Sequence, residues 1–301
     1  MVKDTLSLPA EICFMHLASC PACGRSASFK TLYRFRDFNV LYCQCGHRFI
    51  NPALDEKSQM LIYQSSEMLR KVNPVLVHYY EYDTSQPGSV TYRERSHILD
   101  GVEALTSGRT LLEVGCGAGS FLRLAHERGW EVWGIDSGAE NIRKIQSSGM
   151  HGICCNFMDF QSDKKFDCIV LLDLIEHTPY PKAFAERCRE LMKTGGLLVI
   201  ATPSYPNLLT VMGDLLYRVS FGRLDSVVKK LYILEHTSYF NLQTLEIVLQ
   251  RSGFKVLKAW KVETDLDRYR FPYAIKLTIR FLFLMARFLG MQNRLNLIAQ
   301  K

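Results

Sequence analysis

Leu111-Leu112-Glu113-Val114-Gly115-Cys116-Gly117-Ala118-Gly119 decides the reading of this chain. An apolar run of strand length ends on an acidic residue, breaks into closely spaced glycines, and leads into a helical pattern. Glycine has no Cβ, so such a loop lets backbone approach a ligand closely. A dinucleotide loop would read G-x-G-x-x-G and accept a pyrophosphate. Here Ser120 occupies the place of the third glycine of that pattern, and Glu113 would repel phosphate. A cationic ligand suits the loop better.

Downstream, short apolar runs alternate with helical patterns. Strands are expected at Thr110–Val114, Glu131–Ile135, His151–Cys155, Phe166–Leu172 and Leu197–Thr202. Helices are expected near 120–128, 139–147 and 181–192, the last stopped by Gly195-Gly196. Strands alternating with helices imply an α/β fold with a mainly parallel sheet covered on both faces. Ligands then bind at the C-terminal strand ends. Asp136 ends the second strand, where a carboxylate can accept hydrogen bonds from both hydroxyls of a ribose.

The loop resembles motif I of class I S-adenosylmethionine (SAM) methyltransferases. The run Leu172-Asp173-Leu174-Ile175-Glu176-His177-Thr178-Pro179 resembles the D-x-x-E-H signature of the ubiquinone-biosynthesis-like group of these enzymes. The resemblance implies a Rossmann-like seven-stranded sheet, with strand six at 254–260 and an antiparallel strand seven at 294–299. It implies SAM contacts from Glu113, Gly115, Cys116, Gly117, Gly119 and Asp136. Met158 would touch the adenine ring, Asp159 its amino group, and Asp173 the methionine end. His177 and His236 are the candidates for removing a proton from the acceptor.

Nearer the N-terminus, Cys20-Pro21-Ala22-Cys23 and Cys43-Gln44-Cys45-Gly46 form two close cysteine pairs. Two such turns can give four thiolates to a tetrahedral structural zinc. The second pair is C-x-C, so His47 is an alternative to Cys45 as fourth ligand. The pattern resembles the zinc-ribbon start of a bacterial methyltransferase group, often acting on sugars or other small molecules of surface-polysaccharide and natural-product pathways. The organisation expected is therefore a zinc-ribbon-like module over 1–54, a helical linker over 55–107 and a methyltransferase domain over 108–301. Within that domain, 204–240 would be an acceptor lid.

The bulk properties set limits. The chain has 301 residues, a net charge of +7 and ten cysteines. Its first residues lack a signal-peptide pattern, so the thiols are expected reduced and the protein cytoplasmic. The stretch 273–290 mixes Phe, Leu and Ile with Lys276, Arg280 and Arg287, too many charges for a span. A packing helix is the favoured reading and a peripheral membrane-surface helix the alternative. The small charge excess favours a small-molecule acceptor over RNA. An RNA base methyltransferase remains the rival, because Cys43 to His47 matches the C-x-x-x-H of zinc-bearing RNA methyltransferases. An intact motif I argues against a non-enzymatic SAM-binding or zinc-ribbon interaction protein. The oligomeric state has no signature in the sequence.

Overall fold

Successive residues of a strand face opposite sides of the sheet, so a strand apolar at every position needs cover on both sides. That cover is what the chain builds. The computed structural model describes residues 11–26, 28–64, 66–73, 86–224 and 228–301. Its central sheet has seven strands: β6 (Thr110–Val114), β7 (Glu131–Asp136), β8 (His151–Cys154), β9 (Phe166–Leu172), β10 (Met192–Pro203), β12 (Lys255–Val262) and β13 (Arg294–Gln300). Their order is β12-β13-β10-β9-β6-β7-β8. Strands β6 to β10 pair in parallel, and β13 runs antiparallel to both β10 and β12.

One face of the sheet offers Leu112, Val114, Ile169, Leu171, Leu198 and Ile200 to helices α6 (Pro181–Leu191) and α8 (Leu242–Arg251). The other offers Leu111, Cys168, Val170, Leu197 and Val199 to α3 (Val90–Glu103), α4 (Ser120–Glu127) and α5 (Ala139–Ser147). All these strand residues are buried. At about 1.5–3 kcal/mol for each large apolar side chain removed from water, these two layers hold the fold together.

One local expectation is corrected. Gly195-Gly196 does not end a helix. α6 stops at Leu191 and β10 begins at once, with its register against β9 shifting between Met192 and Leu197. The glycines are absorbed as a bulge, Gly195 at φ 75°, a conformation open to glycine at little cost.

The N-terminal strands form a second sheet, of order β11-β4-β3-β2. Strands β2 (Lys30–Arg34), β3 (Asn39–Tyr42) and β4 (Arg48–Asn51) make a meander. The fourth member, β11 (Ser238–Tyr239), comes from far down the chain and pairs with Phe49 and Arg48. A separate pair joins β1 (Phe14–Met15) to β5 (Ala53–Leu54). Cys20, Ala22, Cys43 and Phe49 lie in the same apolar cluster as Leu245 and Val248 of α8. The meander thus shares its core with the large sheet.

Between the two sheets the linker contributes α1 (Glu56–Tyr63), begun by the Asp55 carboxylate accepting from the Ser58 N–H, and α2 (Ser66–Val72). After β10, α7 (Leu208–Val219) starts from a capping box in which Asn207 and Thr210 satisfy each other's backbone N–H groups. Arg48 of β4 donates to Asp214 of α7 at 3.3 Å and to the hydroxyl of Tyr232, and Tyr33 of β2 donates to the same Asp214 carboxylate. The segment after β10 is therefore clamped onto the N-terminal meander.

Helix α9 (Tyr273–Phe288) is the second correction. It packs only along a narrow edge: Ala286 is its one buried residue, and Tyr273, Leu277, Phe281, Leu284 and Phe288 are all exposed. Among the described residues no helix is long and apolar enough to cross a membrane.

Candidate active site

The glycine loop is held from below. The N–H groups of Gly115 and Cys116 both donate to the Ile135 carbonyl, at 2.8 and 3.1 Å, which pins the loop to β7. Gly115, Gly117 and Gly119 all have positive φ, at 71°, 49° and 75°. At Gly117 an added Cβ would meet no neighbour, so its bareness keeps the space above the loop open; at Gly119 a Cβ would strike Ile145 Cγ1 at 2.8 Å. The two glycines do different jobs. Gly117 lines a cavity at the C-terminal ends of the parallel strands, and Gly119 does not: it lies in the packing of α4 against α5.

That cavity is about 610 Å³, within the usual range for small-molecule sites of roughly 300–1,000 Å³. Glu113, Gly115, Cys116, Gly117, Asp136, Met158, Asp173 and His177 all line it. Asp136 accepts from the Gly117 N–H through Oδ2 at 2.8 Å and from the Gly138 N–H through Oδ1 at 2.7 Å. Glu113 is buried, and burial raises its carboxyl to about 8 against the opposing pull of the Arg95 guanidinium. Its Oε2 has no hydrogen-bond partner. A buried carboxyl on the cavity wall with one oxygen left unpartnered suits a cationic ligand, as the sequence implied. Asp173 follows β9 in the left-handed region, φ 53°, a costly conformation for a residue with a Cβ. Its carboxylate is held by Arg294 Nη1 at 2.7 Å, with Arg268 Nη1 at 3.8 Å.

Besides Gly119, two expected residues lie away from the cavity. Asp159 is exposed, in a short 3-10 turn (Phe157–Asp159) opened by the Asn156 side chain capping the Met158 N–H, and it does not line the cavity. His236 is also off the wall. It packs behind His177, ring centroids 4.7 Å apart and nearly perpendicular. Burial pushes the His236 ring well below its ordinary pKa, with His177 adding to the shift.

His177 is the histidine that reaches the cavity. Its Nδ1 lies 2.8 Å from the Glu235 carbonyl, which can only accept, so Nδ1 carries the proton and Nε2 is left as the basic nitrogen. Burial lowers the ring to about 4, so it is neutral near pH 7.

The rest of the cavity wall departs from the sequence expectation. No described residue of 204–240 lines the cavity; the expected lid is replaced by α1, through Glu56, Gln59, Met60, Tyr63 and Gln64. Arg95 of α3 and Arg268 also line it. The sequence carried no sign of these, since a glutamine, a methionine or a tyrosine on a linker helix is unremarkable until the helix is placed. These two arginines precede or follow the motifs by long stretches.

The cysteines converge on a second point. Cys20 Sγ is 3.7 Å from Cys45 Sγ, and Cys23 Sγ is 3.7 Å from Cys43 Sγ. All four sulfurs lie within 4.8 Å of one another. Thiolates around a tetrahedral zinc at Zn–S of about 2.3 Å would sit about 3.8 Å apart, so the donor set fits that ion. His47 is buried away from the cluster, its Nε2 3.2 Å from Ser238 Oγ and its ring against Phe49 and Phe240. The sulfur of Cys45, not His47, completes the four.

Sheet order, loop and strand-end acids together define a class I SAM-dependent methyltransferase. A methyltransferase-domain family model matches residues 91–259, and the chain belongs to that family. It is 35% identical to the ubiquinone biosynthesis O-methyltransferase of Rhodopseudomonas palustris (strain HaA2) over 54% of this chain and 68% of that protein. The enzyme of the same name from Psychrobacter cryohalolentis is 26% identical, over 44% of this chain and 54% of its own length. The chain therefore spans about two thirds of the first and about half of the second. Among solved structures, a mycolic acid cyclopropane synthase complexed with SAH overlays with a TM-score of 0.57 at 15% identity, covering 82% of this chain and 99% of that one. A magnesium protoporphyrin IX methyltransferase from Synechocystis PCC 6803 with bound SAH gives 0.50 at 13% identity, over 79% and 100%. At these identities the likeness is one of fold.

Proposed function

We propose that the protein methylates a hydroxyl of a small-molecule acceptor, a sugar or related metabolite of envelope-polysaccharide or secondary metabolism. The observation that carries this reading is the His177 ring: neutral, oriented by the Glu235 carbonyl, and lining the same cavity as the glycine loop. SAM bound there supplies a methyl group already made electrophilic by its sulfonium. Glu113 would balance the positive charge of the ligand. Asp136 orders the loop and offers its carboxylate to the ribose. Met158, on the cavity wall, would touch the base. α1 walls off the acceptor side and, with Tyr63 and Gln59, gives it hydrogen-bonding groups. His177 Nε2 would take the hydroxyl proton as the O–C bond forms and the S–CH3 bond breaks, with the neutral thioether as leaving group, and the protein's main contribution is alignment and exclusion of water. The names of the relatives, O-methyltransferases, support oxygen as the atom methylated. Nothing in the cavity favours RNA.

The four cysteines would hold a structural zinc. A closed four-ligand site leaves no open position for catalysis, so its part is to hold the meander that clamps α7.

The test is methyl transfer from labelled SAM into fractionated cell extract, with Asp136→Ala as control. Label in small-molecule or glycan fractions, lost in the control, supports the reading. Label in a ribonuclease-sensitive fraction overturns it.

A further inference from the structure

We propose that α7 and α9 together form a docking surface for an anionic lipid bilayer. The inference is independent of which acceptor the cavity takes. It starts from a helix turned inside out. On α9, Tyr273, Leu277, Phe281, Leu284 and Phe288 follow one another at spacings of three or four residues and so share one face. They are 77, 56, 62, 64 and 86% exposed. A helix of a globular protein buries that stripe against its core; this one presents it to the outside.

Helix α7 extends the surface. Val211, Leu215 and Val219, each one turn apart, are exposed, with Met212 and Leu216 beside them. The two helices pack against each other, and the Leu208 N–H donates to the Met291 carbonyl just past α9. Beyond the end of α7, Phe221 has φ 53° and is 93% exposed. A bulky residue in the left-handed region with its ring wholly in water is disfavoured twice over. A medium that takes up the ring relieves the second cost. Apolar patches of this extent on a soluble domain mark interaction sites.

Charge says which medium. α9 contains no acidic residue, and the single acid of α7, Asp214, is turned inward to Arg48 and Tyr33. Arg218, Arg223, Arg280 and Arg287 are exposed and make no salt bridge among the described residues. Aromatic and aliphatic side chains rimmed by exposed arginines match an anionic interface, where rings enter the headgroup region and the guanidinium groups meet phosphate. A second copy of the chain fits less well, because a two-fold contact through this face would set the arginines of one copy against those of the other. α9 has 16 residues, or about 24 Å of helix, short of the roughly 30 Å of a bilayer core; it lies along the surface. The chain reaches α9 shortly after Arg268, which lines the cavity, so a docked protein holds that part of its wall close to the lipid.

The test is co-sedimentation of the full chain with phosphatidylcholine vesicles, with and without about one third phosphatidylglycerol. Binding is expected only to the anionic vesicles and is weakened by salt. The triple variant Phe221→Ser/Phe281→Ser/Phe288→Ser should lose at least about tenfold in partition, and so should Arg218→Gln/Arg280→Gln/Arg287→Gln. Both alter exposed residues, and unchanged SAM affinity by calorimetry shows that each still folds. Wild-type protein that stays in the supernatant, or binds neutral vesicles equally well, overturns the proposal. So does a dimer, seen by light scattering, that the phenylalanine variant dissociates while vesicles capture neither protein.

Discussion

Asp136 Oδ2 accepts a 2.8 Å hydrogen bond from the backbone N–H of Gly117. The acid that ends β7 is thereby tied to the loop that ends β6, and one carboxylate both shapes the glycine loop and faces the cavity. Asp136→Ala removes charged hydrogen bonds of about 1.5–3 kcal/mol each. SAM affinity should fall by roughly 100-fold in calorimetry, while Asp136→Asn, which keeps one acceptor oxygen, should fall less. Equal affinity for wild type and Asp136→Ala would remove Asp136 from the cofactor site.

Gly117 and Gly119 make a paired prediction. Gly119→Ala places a Cβ against Ile145 at positive φ and should cost about 1–3 kcal/mol of stability, read as a lowered Tm. Gly117→Ala meets no protein atom and pays only the strain of positive φ, yet its methyl group stands in the ligand's space. It should lose SAM binding with the smaller change in Tm. The reverse ranking would show that the roles given to the two glycines are exchanged.

Glu113 gives a pH dependence. Burial raises its carboxyl to about 8, so below that pH the ligand-free protein holds it protonated. A cationic ligand prefers the carboxylate, so binding must expel the proton. SAM affinity should therefore rise with pH between 6 and 8 and level off above, by up to about tenfold per pH unit. Glu113→Gln should flatten the profile. An affinity independent of pH in the wild type would count against a direct role.

His177 and His236 touch each other, but His177 alone of the two lines the cavity. His177→Gln should lower kcat by roughly 10²–10⁴ with little change in SAM affinity. His236→Phe keeps a ring against His177 and should cost far less. If the two substitutions cost the same, the proton passes elsewhere.

Zinc should be found at one ion per chain by elemental analysis and should be lost in Cys23→Ser. Because Cys20 and Cys43 pack in the cluster that also holds α8, removing the metal should lower the single melting transition of the whole chain rather than release a separate early one. Two transitions would mean that the meander melts alone.

Much of the fold was legible because the central strands β6, β9 and β10, largely buried on both faces, read as apolar runs; the edge strands β8 and β12 have no fully buried residue, and β12 was expected only from the resemblance. Gly195-Gly196 misled because glycine serves equally as a helix stop and as a strand bulge. α9 misled for a deeper reason: a period of 3.6 reports that a helix has an apolar face, not what that face meets. The loop acids of the site were legible from their places at strand ends. The acceptor wall was not, since the position of α1 against the cavity depends on contacts made far away in sequence. Nor could adjacency in the chain reveal that His236 stands behind His177 rather than beside the acceptor.

The pairing of β11 with β4 joins Ser238 to Phe49, and it sets an order of events during synthesis. A ribosome adding about 5–20 residues per second delivers the cysteine knuckles first and the last strand of their sheet only some 10–40 seconds later. Through that interval the edge of β4 stands open, a template for the wrong partner. A metal ion taken up early would hold the nascent meander in register while it waits.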